Sequence, residues 1–110
     1  MFTEGQVVTV FRNRLQPDDE SRSRYYADAA QIADLARTMP GYVEHKGFTA
    51  DDGERVTLVT FADAASHQGW REHPEHRAAQ RRGIDGYYET YSIQVGTTSY
   101  ASVFERAAGA

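Results

Sequence analysis

The sequence predicts an α+β chain of the ferredoxin-like type: a split β-α-β-β-α-β order folded as a four-stranded antiparallel sheet with its helices on one face. Three observations predict it. One long stretch has helical apolar spacing, two β-rich runs flank a glycine turn, and a long alternating run closes the chain after a proline-broken helical region.

The first strand is the β-branched and aromatic run Val7-Val8-Thr9-Val10-Phe11, with polar Arg12-Asn13-Arg14 beyond it and a turn at Gln16-Pro17-Asp18-Asp19. From about Ser21, apolar side chains recur at Tyr25, Ala29, Ile32, Ala33, Ala36 and Met39, and Pro40-Gly41 ends this helix. Tyr42 to Thr49 and Arg55 to Phe61 flank Asp51-Asp52-Gly53 and read as a hairpin, the glycine accepting a positive φ. Asp63 is suited to cap a helix running from Ala64 toward His73; Pro74 restarts a second piece that Gly83 can close. Residues 87 to 100 alternate Tyr87, Glu89, Tyr91, Ile93 and Val95 against Tyr88, Thr90, Ser92 and Gln94, which makes one long last strand.

Val56, Leu58, Val59 and Phe61 put apolar side chains on both faces of the third strand. Two helices cover only one side of so small a sheet, so the other side needs another cover. Pairing it with the same face of a second chain buries it and forms a central cavity, which predicts a homodimer, a dimeric α+β barrel. Residues 1–104 form the single domain of this reading, and the small-residue tail 105–110 is expected to fray.

Composition narrows the function classes. The 110 residues hold 40% apolar and 25% charged side chains at a net charge of −4, which speaks against a general nucleic-acid binder. The absence of cysteine removes thiolate nucleophiles and zinc–thiolate sites, and fits a reducing cytoplasm. No run approaches the roughly 18 apolar residues of a membrane span. The expectation is a cytoplasmic protein without nucleic-acid or membrane partners.

Chemistry concentrates in Trp70-Arg-Glu-His-Pro-Glu-His-Arg-Ala-Ala-Gln80, which holds the single tryptophan and two of the four histidines. His73 and His76, flanked by Glu72 and Glu75, have the residue types of a metal site. Pro74 disrupts their common facing and no third ligand is evident, so no metal is assigned. Arg71, Arg77, Arg81 and Arg82 are interleaved with glutamates and read as a solvated helix face rather than an anion site. No glycine-rich phosphate loop follows any strand.

Phe11-Arg-Asn-Arg-Leu15, Met39-Pro-Gly-Tyr-Val43, Phe48 to Val56, Trp70 to His76 and Tyr87-Tyr-Glu-Thr-Tyr91, in this order over about residues 5 to 103, resemble the antibiotic biosynthesis monooxygenase family. The resemblance implies small dimers and an oxygenase. Characterised relatives include cofactor-independent oxygenases of aromatic polyketides, quinol monooxygenases and heme-degrading oxygenases. Asn13-Arg14-Leu15 and Trp70 match positions of the heme-degrading relatives, but the histidine that holds iron there, ten residues after the tryptophan, is Gln80 here. A glutamine amide is a poor iron ligand, so the expected cofactor is none, with heme as the alternative through His76 one turn earlier.

Oxygenation without a cofactor needs an electron-rich aromatic or quinol, its deprotonation, and molecular oxygen in a dry cavity between sheet and helices. Asn13 and Trp70 are the expected N–H donors to the substrate anion. Imidazole titrates near neutrality, which makes His76 and His73 the candidate catalytic bases, with His45 beside the substrate. Tyr88 and Tyr91 are the candidate substrate contacts. Strict alternation puts them on opposite faces, so at most one would line the cavity. The alternative to catalysis is a dimeric module binding a small aromatic or apolar ligand in the same cavity.

Overall fold

The computed structural model describes residues 2–107; the frayed tail expected over 105–110 therefore lies in part outside the described residues. Strand β1 (Val7–Leu15) leads to helix α1 (Asp19–Thr38), followed by the hairpin of β2 (Tyr42–Thr49) and β3 (Arg55–Phe61). Helices α2 (Ala64–Glu72) and α3 (Pro74–Arg82) come next, then a π-helical turn (Gly83–Tyr87) and β4 (Tyr88–Thr97). The strands run β2-β3-β1-β4 across one sheet and all three pairings are antiparallel, the predicted ferredoxin-like architecture.

Local chemistry sets the boundaries. Asp18, read from sequence as part of a turn, caps α1: its carboxylate accepts the Ser21 N–H at 2.8 Å, and Asp19 and Glu20 lie in the first turn, where the helix dipole favours them. The helix therefore begins two residues earlier than the apolar spacing indicates. Asp63 caps α2 through a reciprocal pair with Ser66, as its position predicts. Gly41 (φ 79°) turns the chain into β2 directly against that cap, where a Cβ would run into the Ser66 side chain.

Gly83 caps α3 as expected, but it does so with right-handed helical angles and the chain continues into the π-helical turn. One expectation fails at the start of β4, which does not alternate strictly. Leu15 faces Tyr88 while Arg14 faces Thr90, so Glu89 is an extra residue with no opposite number, a β-bulge.

The inward side chains of β1 are Val7, Thr9, Phe11, Asn13 and Leu15. Buried Val59, Phe61, Ala36 and Trp70 form one core cluster, and Leu15, Tyr25 and Tyr87 a second. The opposite sheet face carries half-buried Val8, Val10, Val56 and Leu58 with exposed Phe48, bordered by the Arg12–Glu54 and Arg14–Asp52 ion pairs. Among the described residues no helix is long and apolar enough to cross a membrane.

Candidate functional site

Between the two core clusters the helices stand away from the sheet and leave a cavity of about 560 Å³. Thr9 and Phe11, Thr57 and Val59, His45, and Tyr91, Ile93 and Val95 supply its sheet wall. Tyr25, Asp28 and Ile32 of α1, His67, Trp70 and Arg71 of α2, and His76, Ala79 and Gln80 of α3 supply the helical wall, with Tyr87 and Tyr88 at one end. Tyr91, Ile93 and Val95 are nearly half exposed, so the cavity opens along the β4 edge.

The bulge at Glu89 decides the aromatic lining. Because it adds one residue, Tyr88 and Tyr91 both follow inward-facing partners, Leu15 and Asn13, and both line the cavity. The expectation that at most one could do so is corrected by this offset. With Phe11 they make a ring cluster at centroid distances of 5.4, 5.9 and 5.9 Å, within the range of favourable aromatic contacts. Burial raises the Tyr88 phenol above its ordinary value, so it is neutral and available as a hydrogen-bond donor.

Trp70 is 4% exposed and is held between Phe61 (centroids 6.1 Å apart) and the imidazole of His76 (4.2 Å, planes 21° apart). Burial drops the His76 pKa from 6.5 to about 4; the nearby backbone carbonyls of Trp70 and Arg71 act in the opposite direction without offsetting it, and Nδ1 makes no hydrogen bond of good geometry. His76 is thus a neutral imidazole at neutral pH, not a base poised at it, which corrects the sequence-based titration argument. Burial also lowers His45, with the Arg37 charge adding to it, and lowers His67, with Arg71 adding to it. His67, whose Nε2 lies 3.2 Å from Thr9 Oγ1, escaped the sequence reading because nothing in the local pattern distinguishes it from a solvated helix residue.

His73 is elsewhere. It occupies the break between α2 and α3, where its Nδ1 accepts the Glu75 N–H at 3.1 Å and caps α3; it is not on the cavity wall. Asn13 is also off the wall. It lies on the inward face of β1 between Arg55 and Tyr91 in the register, 1% exposed, with neither amide atom hydrogen-bonded. A buried amide left unpaired costs on the order of 1–3 kcal/mol, so this side chain carries unused donor and acceptor capacity beside the floor.

An ionic cluster with no signature in the local sequence pattern fixes the far end of the cavity. Arg82 donates to both carboxylate oxygens of Asp28 at 2.7 Å, and the Tyr87 hydroxyl donates to the same carboxylate at 3.0 Å. These bonds, Arg82 first, hold Asp28 below the ordinary carboxylate value; burial and the Asp28 charge raise Tyr87. Among the described residues no three histidine, aspartate or glutamate side chains are placed to hold a metal ion. Gln80 and His76 share the cavity wall one helical turn apart, as their spacing predicts. The iron-binding position of the heme-degrading relatives therefore presents an amide to the cavity, and the donor set does not fit iron held in that way.

The sequence profile of the antibiotic biosynthesis monooxygenase family matches residues 9–82. The chain is 30% identical over 88 residues to the uncharacterized protein YqjZ of Bacillus subtilis (strain 168), a match covering 78% of this chain and 75% of that one. Its fold is similar to that of SnoaB, a cofactor-independent oxygenase from Streptomyces nogalater (TM-score 0.73, 16% identity, 92% of this chain and 99% of that one). It is equally similar to Rv0793 from Mycobacterium tuberculosis (TM-score 0.72, 16% identity, 93% and 99%).

Proposed function

Because the chain belongs to the antibiotic biosynthesis monooxygenase family, we propose that it is a cofactor-independent monooxygenase that oxidises a small electron-rich aromatic or quinol in the cavity between sheet and helices. The observation that carries this reading is the wall itself: imidazoles kept neutral by burial stand among Trp70, Phe11, Tyr88 and Tyr91. A neutral imidazole can take a proton from a bound phenol or from an activated ring CH₂. Burial that depresses the free imidazolium also strengthens its attraction for the aromatic anion so formed, so the ion pair is favoured where the lone charge is not.

The anion then supplies the electrons. One electron passes to O₂, the resulting superoxide and carbon radical combine, and the peroxide loses water to leave a carbonyl. For a ring CH₂ the balance is CH₂ plus O₂ giving C=O plus H₂O, with one oxygen atom entering the substrate and no external reductant consumed. In this scheme His76, stacked on Trp70, is the proton acceptor, the Trp70 indole is the donor to the developing oxyanion, and His45, Tyr88 and Tyr91 position the ring. Asn13 and His73, neither of which lines the cavity, are left to structure. A homodimer joined through the apolar sheet face that carries Val8, Val10, Val56 and Leu58 completes the proposal.

Oxygen uptake with a panel of anthrones and hydroquinones tests it. The expected result is stoichiometric O₂ consumption with at least one of them, falling about a hundredfold in kcat in Trp70→Phe, the usual cost of one oxyanion donor. Undiminished turnover in that variant would remove Trp70 from its role. Quenching of Trp70 fluorescence by the same compounds without any uptake would favour a ligand-binding module.

A further inference from the structure

The two edges of the sheet are built differently. β2, at one edge, carries Glu44 and Lys46 in its middle and shifts register between Tyr42 and Glu44, and such charges and irregularities keep an edge from pairing with a further strand. β4, at the other edge, has neither beyond its bulge. Residues 90–104 pass without a charge or a proline, the longest uncharged run in the chain. Glu89 to Thr97 are exposed, and Tyr91, Ile93 and Val95 leave the cavity open on this side. A ten-residue strand thus offers its outer row of N–H and C=O groups to a pairing partner along the mouth of the cavity.

The chain that follows does not cover this edge itself. Thr98 still pairs with Gln6, just ahead of β1, and residues 100–107 belong to no helix or strand. Tyr100 and Phe104 are 79% and 80% exposed, so this arm is not packed on its own domain. The radius of gyration agrees, at 15.4 Å against about 13 Å for a compact domain of this length. An extended arm with exposed rings and an uncharged open edge are complementary, the one in its apolar side chains and both in their backbone groups. We propose that residues 99–106 of one copy add as a fifth strand to the β4 edge of a second copy, and that this exchange closes the cavity. The arm reaches about 26 Å when extended, most of the roughly 33 Å of β4. Its side chains alternate, so Tyr100, Ser102 and Phe104 share one face and Ala101 and Val103 the other. With the aromatic set on the helix side, Tyr100 and Phe104 of the partner subunit lie beside Tyr91, Ile93 and Val95 and complete the wall that one chain leaves open. Twofold symmetry lets each copy give one arm and receive one. The proposal rests on the homodimer proposed above and not on the chemistry of its cavity.

The chain has no cysteine, so single cysteines report the pairing without background. Full-length chains carrying Ala101→Cys are mixed with chains carrying Thr90→Cys, Ser92→Cys or Gln94→Cys, the β4 side chains that point away from the cavity, and are oxidised mildly. A disulfide needs Cβ atoms about 4 Å apart on one face of the sheet. At one of the three positions a disulfide between the two chains, identified by mass spectrometry, is expected to form at least about tenfold faster than with Lys46→Cys on the β2 edge, and faster from Ala101→Cys than from Ser102→Cys, which faces the other way. Equal rates at the two edges, or no mixed disulfide, overturn the proposal. Independently, Tyr100→Ser with Phe104→Ser removes the rings and leaves the domain intact, so the circular dichroism should be unchanged while self-association by analytical ultracentrifugation weakens at least about tenfold. Unchanged association overturns the proposal. A dimer that forms without the arm-to-β4 disulfide leaves the sheet-face interface standing and removes the arm from it; a monomeric parent protein overturns the dimer and the exchange together.

Discussion

Lowering the pH should destabilise this fold through His76 before the carboxylates are reached. Its pKa in the folded chain is about 4 against 6.5 for a free imidazole, because burial against Trp70 penalises the charged ring. With the folded value depressed, the unfolded chain binds the proton first, so stability is whole above about pH 6.5, declines as pH falls, and levels off near the folded value. At about 1.4 kcal/mol per pH unit the full loss is about 3 kcal/mol, a large share of the 5–15 kcal/mol typical of a domain. Burial shifts His45 and His67 in the same direction. Asp18, Asp28, Asp52 and Asp63 are depressed carboxylates whose stabilisation is lost only below their ordinary value of 3.8, beneath this window. His76→Phe keeps a ring against Trp70 and removes the titration, so it isolates the effect. Urea unfolding followed by far-ultraviolet circular dichroism, at intervals between about pH 7 and about pH 4, is the assay. The parent protein should lose about 3 kcal/mol more than His76→Phe across that range. Parallel stability curves for the two proteins would refute the argument, and with it the claim that burial keeps this imidazole neutral.

Gly83→Ala tests the packing of the π-helical turn. Its backbone angles suit alanine, but a Cβ there falls inside the Tyr88 ring, so about 1–3 kcal/mol should be lost and the ring pushed into the cavity. Thermal unfolding and weakened binding of an aromatic ligand report the two effects; an unchanged Tm would show that Tyr88 is not held there. The proposed dimer predicts a mass by light scattering of twice the 12.4 kDa chain, and Leu58→Glu, on the apolar sheet face, should shift it to one chain. A monomeric parent protein at micromolar concentration would count against that interface.

What was legible in the sequence is what depends on period and punctuation. The hairpin ends, the Asp63 cap and the break at Pro74 are written in residue types whose local physics dominates, and they stand where that physics puts them. The residues that tertiary contact places were not legible. Asp18 looks like any turn aspartate until Ser21 N–H is set against it. Gly83 reads as a helix terminator and does cap α3, but no local pattern shows that its lack of a side chain also admits Tyr88. The bulge at Glu89 has no composition signal at all, and it alone converts two tyrosines on opposite faces into neighbours on one wall. For the site, Trp70, His76, His45, Tyr88 and Tyr91 were found by residue type and meet in one cavity. Asn13 and His73 were found by the same criterion and do not line it, since residue type cannot separate a wall from a buried layer or a cap.

The composition of the wall bears on whether the cavity does chemistry. A pocket that only retains an aromatic ligand is served by leucine or phenylalanine at the His76 position, at no cost in stability at any pH. An imidazole there loses hydration, leaves Nδ1 unbonded, and makes the fold acid-sensitive. Polar groups kept in buried places against local stability are most often those that a reaction uses. The same cost recurs at Asn13, where an isosteric apolar side chain would remove two unpaired buried atoms. Of the two residues, His76 is on the ring-lined wall and able to take the proton that an aromatic substrate must give up before its own electrons reduce O₂. A binding module leaves that cost without a return, which is why catalysis is the stronger reading of this wall.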